Sequence, residues 1–343
     1  MTHVIAKRRV GGTDVHTTVL GLGSAPLGNL FEALDHATAL DTVNVALEVG
    51  VEYFDTAPQY GHGRAEHRFG HVLREQPRDS FVLSTKVGRL LVPAEPDEIA
   101  NVRWVDPLPF RIEHDYTRDA VLRSIEHSWQ RLGMKRIDLA YIHDVDRMHH
   151  GEAYEGKLKE ALDGAVPALA ELRDAGIIGG YGIGVNEVEP CLAFAENADL
   201  DAMMLAGRYT LLEQGGLDDL LPLADRKGFS IVVAGPFNSG ILATGAREGA
   251  TYQYQTADDA VLKQVHRIEV VCAAHSVPLG AASIQFPLGQ SCVATVVTGA
   301  VRPAEIRQNA AWMAHSIPAE LWSDLKSEGL IASSCAVPGS ASL

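Results

Sequence analysis

The sequence predicts an α/β protein folded as a (β/α)8 barrel, with a short N-terminal hairpin and long loops at the carboxyl ends of the strands. Three observations point there. Eight short apolar runs, each followed by a helical pattern, succeed one another from Thr18 to about residue 314. Several of these runs stop on an ionisable side chain, as strands do when their carboxyl ends face a ligand. No linker or break in composition divides the 343 residues, so residues 1–343 are read as one domain.

After the N-terminal extension, TVLGLG (18–23) reads as the first strand and DTVNVALEV (41–49) as a helix stopped by Gly50. The run VEYF leads to Asp55. A helix follows at about 65–75, and FVLST leads to Lys86. Residues 88–116, with four prolines and Trp104, Phe110 and Tyr116, read as a long functional loop. Thr117 and Asp119 mark the start of a helix to about 132. IDLAYI then ends on His143, and an irregular patch carries His149 and His150. The pattern becomes regular again: helix 165–175, strand GYGIGVN, helix 188–197, strand 201–206, helix 217–227, strand FSIVVA. A loop over 235–256, helices at 258–275 and 279–289, strand ATVVTG and helix 303–314 complete it.

A doubly wound dinucleotide domain is the competing architecture. GLGSAPLG (21–28) opens with G-x-G, but Ala25 and Pro26 follow, and proline removes an N–H that a phosphate needs. That reading is rejected. The net charge of −15 argues against a nucleic-acid partner. No run is long and apolar enough to span a membrane, and MTHVIAKRRVGG lacks the apolar core of a secretory leader, so a cytoplasmic protein is expected. Cys191, Cys272, Cys292 and Cys335 form no C-x-x-C pair and are expected to be reduced and buried, with no metal.

In a barrel, Asp55, Tyr60, Lys86 and His143 converge from successive strand ends. A tyrosine hydroxyl titrates near 10 and is a poor base at neutrality. A neighbouring Lys86 favours the phenolate, and Asp55 holds the lysine charged. A neutral His143 orients a substrate oxygen. This set suits proton transfer coupled to hydride transfer. Taken singly, Asp55 is also a turn cap, Lys86 a surface residue and His143 a core histidine; the four together are hard to explain structurally.

YFDTAPQYGHGRAEHRFG, FVLSTK and LAYIH, in this order and spacing, resemble the aldo-keto reductase superfamily over nearly the whole chain. The resemblance implies a TIM barrel and an extended nicotinamide cofactor. It implies Tyr60 as general acid/base, Lys86 and Asp55 as its tuning pair, and His143 as substrate-orienting group. It places the carboxamide of the cofactor on Asn186, although Val185, Ala206 and Ala234 depart from the usual residues of the pattern. Gly23 and Ser24, and Pro236, Phe237, Ser239 and Gly240 of GPFNSGIL, fall where the family touches its cofactor. In TVVTGAVRPAEIRQNAAW, Gly299 and Glu305 stand where NADP-using relatives carry a cation. Arg302 and Asn309 flank them. A carboxylate at 305 repels a 2′-phosphate and accepts from ribose hydroxyls, so NAD is expected; Arg302 and Arg307 are the residues able to reverse that. GSAPLGNLF, STKVGRLL, YIHDVDR and LAGRYTLLEQ are similar to one branch, the D-threo-aldose 1-dehydrogenases and pyridoxal 4-dehydrogenase. Both oxidise a lactol to a lactone. The expected substrate is a small molecule, an aldose of L-fucose or D-arabinose type first and pyridoxal second, with Trp104 and Asp144 at the pocket wall. A nicotinamide-binding regulatory barrel with little turnover is the alternative of a different class.

Overall fold

The computed structural model describes residues 5–99 and 103–339. It begins with an antiparallel pair, β1 (Lys7–Arg9) and β2 (His16–Thr18). Then follow β3 (Leu20–Gly23), α1 (His36–Glu48), β4 (Tyr53–Asp55), α2 (Arg64–Leu73) and β5 (Val82–Val87). A hairpin of β6 (Arg89–Pro93) and β7 (Phe110–His114) precedes α3 (Arg118–Leu132) and β8 (Leu139–His143). Next come α4 (Arg147–His150), α5 (Tyr154–Glu160), α6 (Val166–Asp174), β9 (Gly180–Val185), α7 (Val188–Asn197), β10 (Ala202–Ala206), α8 (Leu220–Lys227) and β11 (Ser230–Ala234). The last third holds α9 (Ile241–Thr244), the short pair β12 (Thr251–Tyr252) and β13 (Gln255–Thr256), α10 (Asp259–Ala274), α11 (Leu279–Gln285), β14 (Val293–Gly299), α12 (Pro303–Met313) and α13 (Ala319–Ser327).

Strands β3, β4, β5, β8, β9, β10, β11 and β14 close a barrel in chain order, every neighbouring pair parallel, with β14 returning to β3. This is the (β/α)8 architecture that eight strand–helix units imply. Alternation along each strand sorts the side chains into two layers. Phe54, Leu83, Ile142 and Val233 face the helices and pack with Phe69 and Ile284. Tyr53, Leu139, Tyr141, Met204 and Val232 fill the interior, with Val10 of the N-terminal hairpin among them. The hairpin lies at the amino ends of the strands. Arg8 donates to the carbonyls of Leu288 and Val293 at 2.9 and 2.7 Å, and the Gly11 N–H donates to Ser230 Oγ at 2.8 Å. The opposite end, where Asp55, Lys86 and His143 emerge, is left for ligands.

Four expectations need correction. The first barrel strand starts at Leu20, because Thr18 pairs with Lys7 in the hairpin. Helix α1 starts five residues early, because the Asp35 side chain accepts from the Thr38 N–H at 2.9 Å and caps it. Residues 88–116 are not a plain loop. They carry the β6–β7 hairpin, with Pro93 at its end and Pro107 and Pro109 outside the strands, where no ladder N–H is needed; residues 100–102 lie outside the described residues. The patch after His143 is largely helical, begun by Asp146 capping the His149 N–H at 2.9 Å. Helix α13, which buries Leu321, Trp322 and Leu325, lies beyond the last predicted helix.

Candidate active site

Asp55 ends β4, Lys86 is the penultimate residue of β5 and His143 ends β8, so their inward side chains meet at the mouth of the barrel. Tyr60 reaches them from the turn after β4. That turn is fixed by two glycine backbones in contact: a Cβ on Gly61 would stand 2.3 Å from the Gly28 carbonyl oxygen, and one on Gly28 2.7 Å from the Gly61 nitrogen. Only glycine permits that approach.

Lys86 Nζ donates to Asp55 Oδ2 at 2.6 Å and to the Thr56 carbonyl at 2.9 Å; both partners of the ion pair are buried. Burial alone would lower the lysine pKa, but Asp55 and Tyr60 outweigh it and hold the ammonium above its ordinary value. The ammonium stands 4.8 Å from the centroid of the Tyr60 ring, and the His143 ring meets that ring edge-on at 5.9 Å. Lys86 pulls the Tyr60 phenol down, as expected, but burial outweighs it and pushes the hydroxyl up to about 12. Burial, then Arg89 and Lys86, drives His143 well below its ordinary range, so the imidazole is neutral.

A second tier lies beneath. Tyr141 OH is 3.3 Å from Tyr53 OH, Tyr53 OH is 3.0 Å from Ser84 Oγ, and Ser84 Oγ donates to Asp55 Oδ1 at 2.7 Å. Each member lies two residues before a tetrad member on the same strand. The period of two along each strand puts them on the same inward face as the tetrad, a signal that the sequence carries.

The other expected residues fall as follows. Trp104 is buried with its ring 5.8 Å from that of Tyr60. Asp144 is not open to a ligand in the way expected. Arg89 Nη2 donates to its Oδ2 at 2.5 Å, and Asn186 Nδ2 donates to its Oδ1 at 3.3 Å. Gly23 and Gly299 are ladder partners at the ends of β3 and β14. The Ser24 N–H donates to the Asp55 carbonyl at 2.9 Å, while its buried Oγ has no partner. Pro236 is buried, and Phe237 meets Trp312 edge-on at 5.8 Å. Ser239 and Gly240 have left-handed backbones (φ 64° and 105°), and Ser239 Oγ accepts from the Tyr254 N–H at 3.0 Å. Glu305 sits in the first turn of α12, its Oε2 accepting from the Val301 N–H at 2.8 Å; Arg302 Nη1 lies 3.9 Å from Oε1. Asn309 Nδ2 donates to Thr298 Oγ1 at 3.2 Å.

Polar atoms of Asp144, Asp146 and His149 lie within 4.8 Å of one another. Arg89 already holds Asp144, and Asp146 Oδ1 is 2.7 Å from His149 Nδ1, so the group is an ion-paired cluster. His150 is half-buried, with Nε2 3.0 Å from Tyr116 OH. The four cysteines are free and buried. No helix among the described residues is long and apolar enough to cross a membrane.

The sequence matches the model of the aldo/keto reductase family over residues 19–328. The chain belongs to that family. It is 43% identical over 335 residues to a pyridoxal 4-dehydrogenase of Microbacterium luteolum, covering 95% of this chain and 98% of that protein. It is 42% identical over 318 residues to a D-threo-aldose 1-dehydrogenase of a Pseudomonas species, covering 91% and 94%. The fold is that of the holo form of an aldo-keto reductase from Bacillus halodurans (TM-score 0.73, 24% identity, 94% and 96% covered). The aldo/keto reductases use a nicotinamide cofactor. Features suited to such a group follow the carboxyl ends of three barrel strands: the unpartnered Ser24 Oγ after β3, the left-handed backbone at 238–240 after β11 and the N-terminus of α12 after β14.

Proposed function

We propose that this protein oxidises a cyclic hemiacetal to a lactone with NAD⁺, taking an aldose of the L-fucose or D-arabinose type as substrate. The observation that carries the reading is the buried Lys86–Asp55 pair against Tyr60, with neutral His143 at the ring edge. Bound oxidised nicotinamide would supply the hydride acceptor. The chain's own groups do the rest. His143 orients the anomeric hydroxyl, Tyr60 removes its proton, and Lys86 stabilises the phenolate that does so. Asp55 keeps the ammonium in place. Asn186 fixes the carboxamide side of the cofactor, and the 235–240 turn and α12 hold its remainder.

Two features support NAD over NADP. Glu305 presents a carboxylate at the start of α12. A Cβ at Gly299 would stand 2.8 Å from Pro26 Cγ, so a lysine cannot be placed there without moving the first loop. A second reading, pyridoxal as the lactol, is favoured by the flat wall that Trp104 sets beside Tyr60. NADH formation measured side by side with L-fucose, D-arabinose and pyridoxal tests both. A sugar preference over pyridoxal is expected, with activity abolished in Tyr60→Phe. Turnover that survives in that variant removes the catalytic assignment, and a preference for NADP⁺ removes the cofactor assignment.

A further inference from the structure

Arg89 is three residues beyond Lys86, across Gly88, at the start of the β6–β7 hairpin. It is a buried cation outside the tetrad, and its single ion-pair partner among the described residues is Asp144. Asp144 follows His143 directly, with a left-handed backbone (φ 51°) held by its N–H on the Gly184 carbonyl at 2.8 Å. This turn brings the carboxylate back beside its neighbour. Asp144 Oδ2 stands 3.3 Å from His143 Nε2, and Oδ1 accepts from Asn186. One carboxylate therefore touches both the group assigned to the substrate oxygen and the group assigned to the cofactor amide.

That placement carries a hazard. A buried carboxylate beside an imidazole favours the protonated ring. A protonated His143 next to Lys86 would put a second positive charge at the tetrad and remove the neutral donor. The structure contains a counterweight, the guanidinium on the same oxygen that faces His143.

We propose that Arg89 is a positioning residue for the reaction: by holding Asp144 it keeps that carboxylate from drawing a proton onto His143, and it fixes His143 and Asn186 relative to each other. The role rests on the proposed chemistry of Tyr60 and His143. Other charged and titratable groups face His143 from each neighbouring element: Tyr60 after β4, Lys86 on β5, His114 on β7 and His149 on α4. Tyr116 OH donates to the His143 carbonyl at 2.7 Å. Lys86 is committed to Asp55, and His149, with Nε2 3.6 Å from Asp144 Oδ2, is held through Nδ1 by Asp146 at 2.7 Å, which leaves the Arg89 guanidinium to balance Asp144.

The test is a series of Arg89→Lys, Arg89→Met and Arg89→Met/Asp144→Asn. kcat/KM for lactol oxidation is followed across pH 5.5–9.5, with His143 titrated in parallel by NMR of its ring carbon-bound protons. The wild type should rise with pH at slope one on logarithmic axes, from Tyr60 alone. Arg89→Met should steepen to slope two on the acid side, fall at least tenfold further than the wild type between pH 9 and pH 6.5, and bring the His143 titration into the observable range. The double variant, which removes the carboxylate too, should return to slope one, and Arg89→Lys should keep the wild-type shape. Arg89→Gln carries the same expectation as methionine where the latter does not fold. An Arg89→Met profile parallel to wild type, or a His143 that does not titrate in it, overturns the proposal. The NMR arm needs no substrate. A wild type that fails to oxidise lactols would therefore undo the functional reading while still deciding whether Arg89 governs His143.

Discussion

Replacing Lys86 by methionine removes the charge nearest the Tyr60 ring while keeping most of the side-chain volume. The ammonium lies 4.8 Å from the ring centroid in a buried site. At an effective dielectric of about 20, a unit charge there stabilises the phenolate by about 3.5 kcal/mol. This corresponds to about 2.5 pKa units, or roughly 300-fold in the fraction of Tyr60 ionised below its pKa. Tyr60 already titrates at about 12. The loss should therefore be nearly constant from pH 6 to 9, because both proteins lie on the same limb. The assay is kcat/KM for NADH formation from the best lactol. Asp55 is left buried without its cation, and breaking such a pair costs about 3–5 kcal/mol of stability. Lys86→Met/Asp55→Asn separates the two effects: it should recover the melting temperature and stay slow. A loss under about tenfold with an intact fold, or a double variant that regains its rate, would refute the tuning role of Lys86.

Three other outcomes are expected. Glu305→Arg replaces repulsion of a 2′-phosphate by attraction; an exposed charge contact is worth about 1 kcal/mol, so NADP⁺ efficiency should rise roughly fivefold, as read from steady-state kinetics with both cofactors. Gly88→Ala places a Cβ 2.2 Å from Tyr116 Cε1 on a backbone with φ 94°. It should lower the melting temperature, by about 2 kcal/mol or more of stability, and reduce activity through the lost Tyr116–His143 contact. Burial, with Arg89 next, holds His143 well below its ordinary value and His114 at about 3. Their folded values lie below the unfolded value of about 6.5, so below that pH the unfolded chain binds protons that the fold refuses. Stability should therefore fall as pH drops from 6.5 toward 5. Thermal melts across this range should show the decline, and His114→Gln should flatten it.

Much of the site was legible because it lies at strand ends. Runs such as VEYF and IDLAYI announce both the strand and the residue it delivers, so Asp55, Lys86 and His143 could be placed from pattern alone. Tyr60 was harder, since its position depends on the Gly28–Gly61 approach, a contact between segments more than 30 residues apart in sequence. Arg89 was not visible as a functional residue. It follows Gly88 in what reads as a loop, and its meaning comes from Asp144, 55 residues away. The pairing of Asp144 was hidden for the same reason, because a carboxylate after a strand gives no sign of whether a buried cation awaits it. The β6–β7 hairpin was obscured by prolines that mark its ends rather than its absence. The direction of the Tyr60 shift also needed the structure. Sequence showed the lysine that pulls it down, but not the depth of packing that pushes it up.

The N-terminal hairpin offers a practical handle. It covers the amino ends of the strands, anchored by Arg8 and Gly11, while the tetrad opens at the other end. Asp14, in the connection between β1 and β2, is fully exposed, and all four native thiols are buried. A single cysteine introduced at position 14 would be the accessible thiol on the folded protein. Coupling it to an electrode or a bead would seat each molecule with its mouth facing the solution. Such a layer should retain its access to cofactor and substrate where random attachment through lysines would bury a share of the openings.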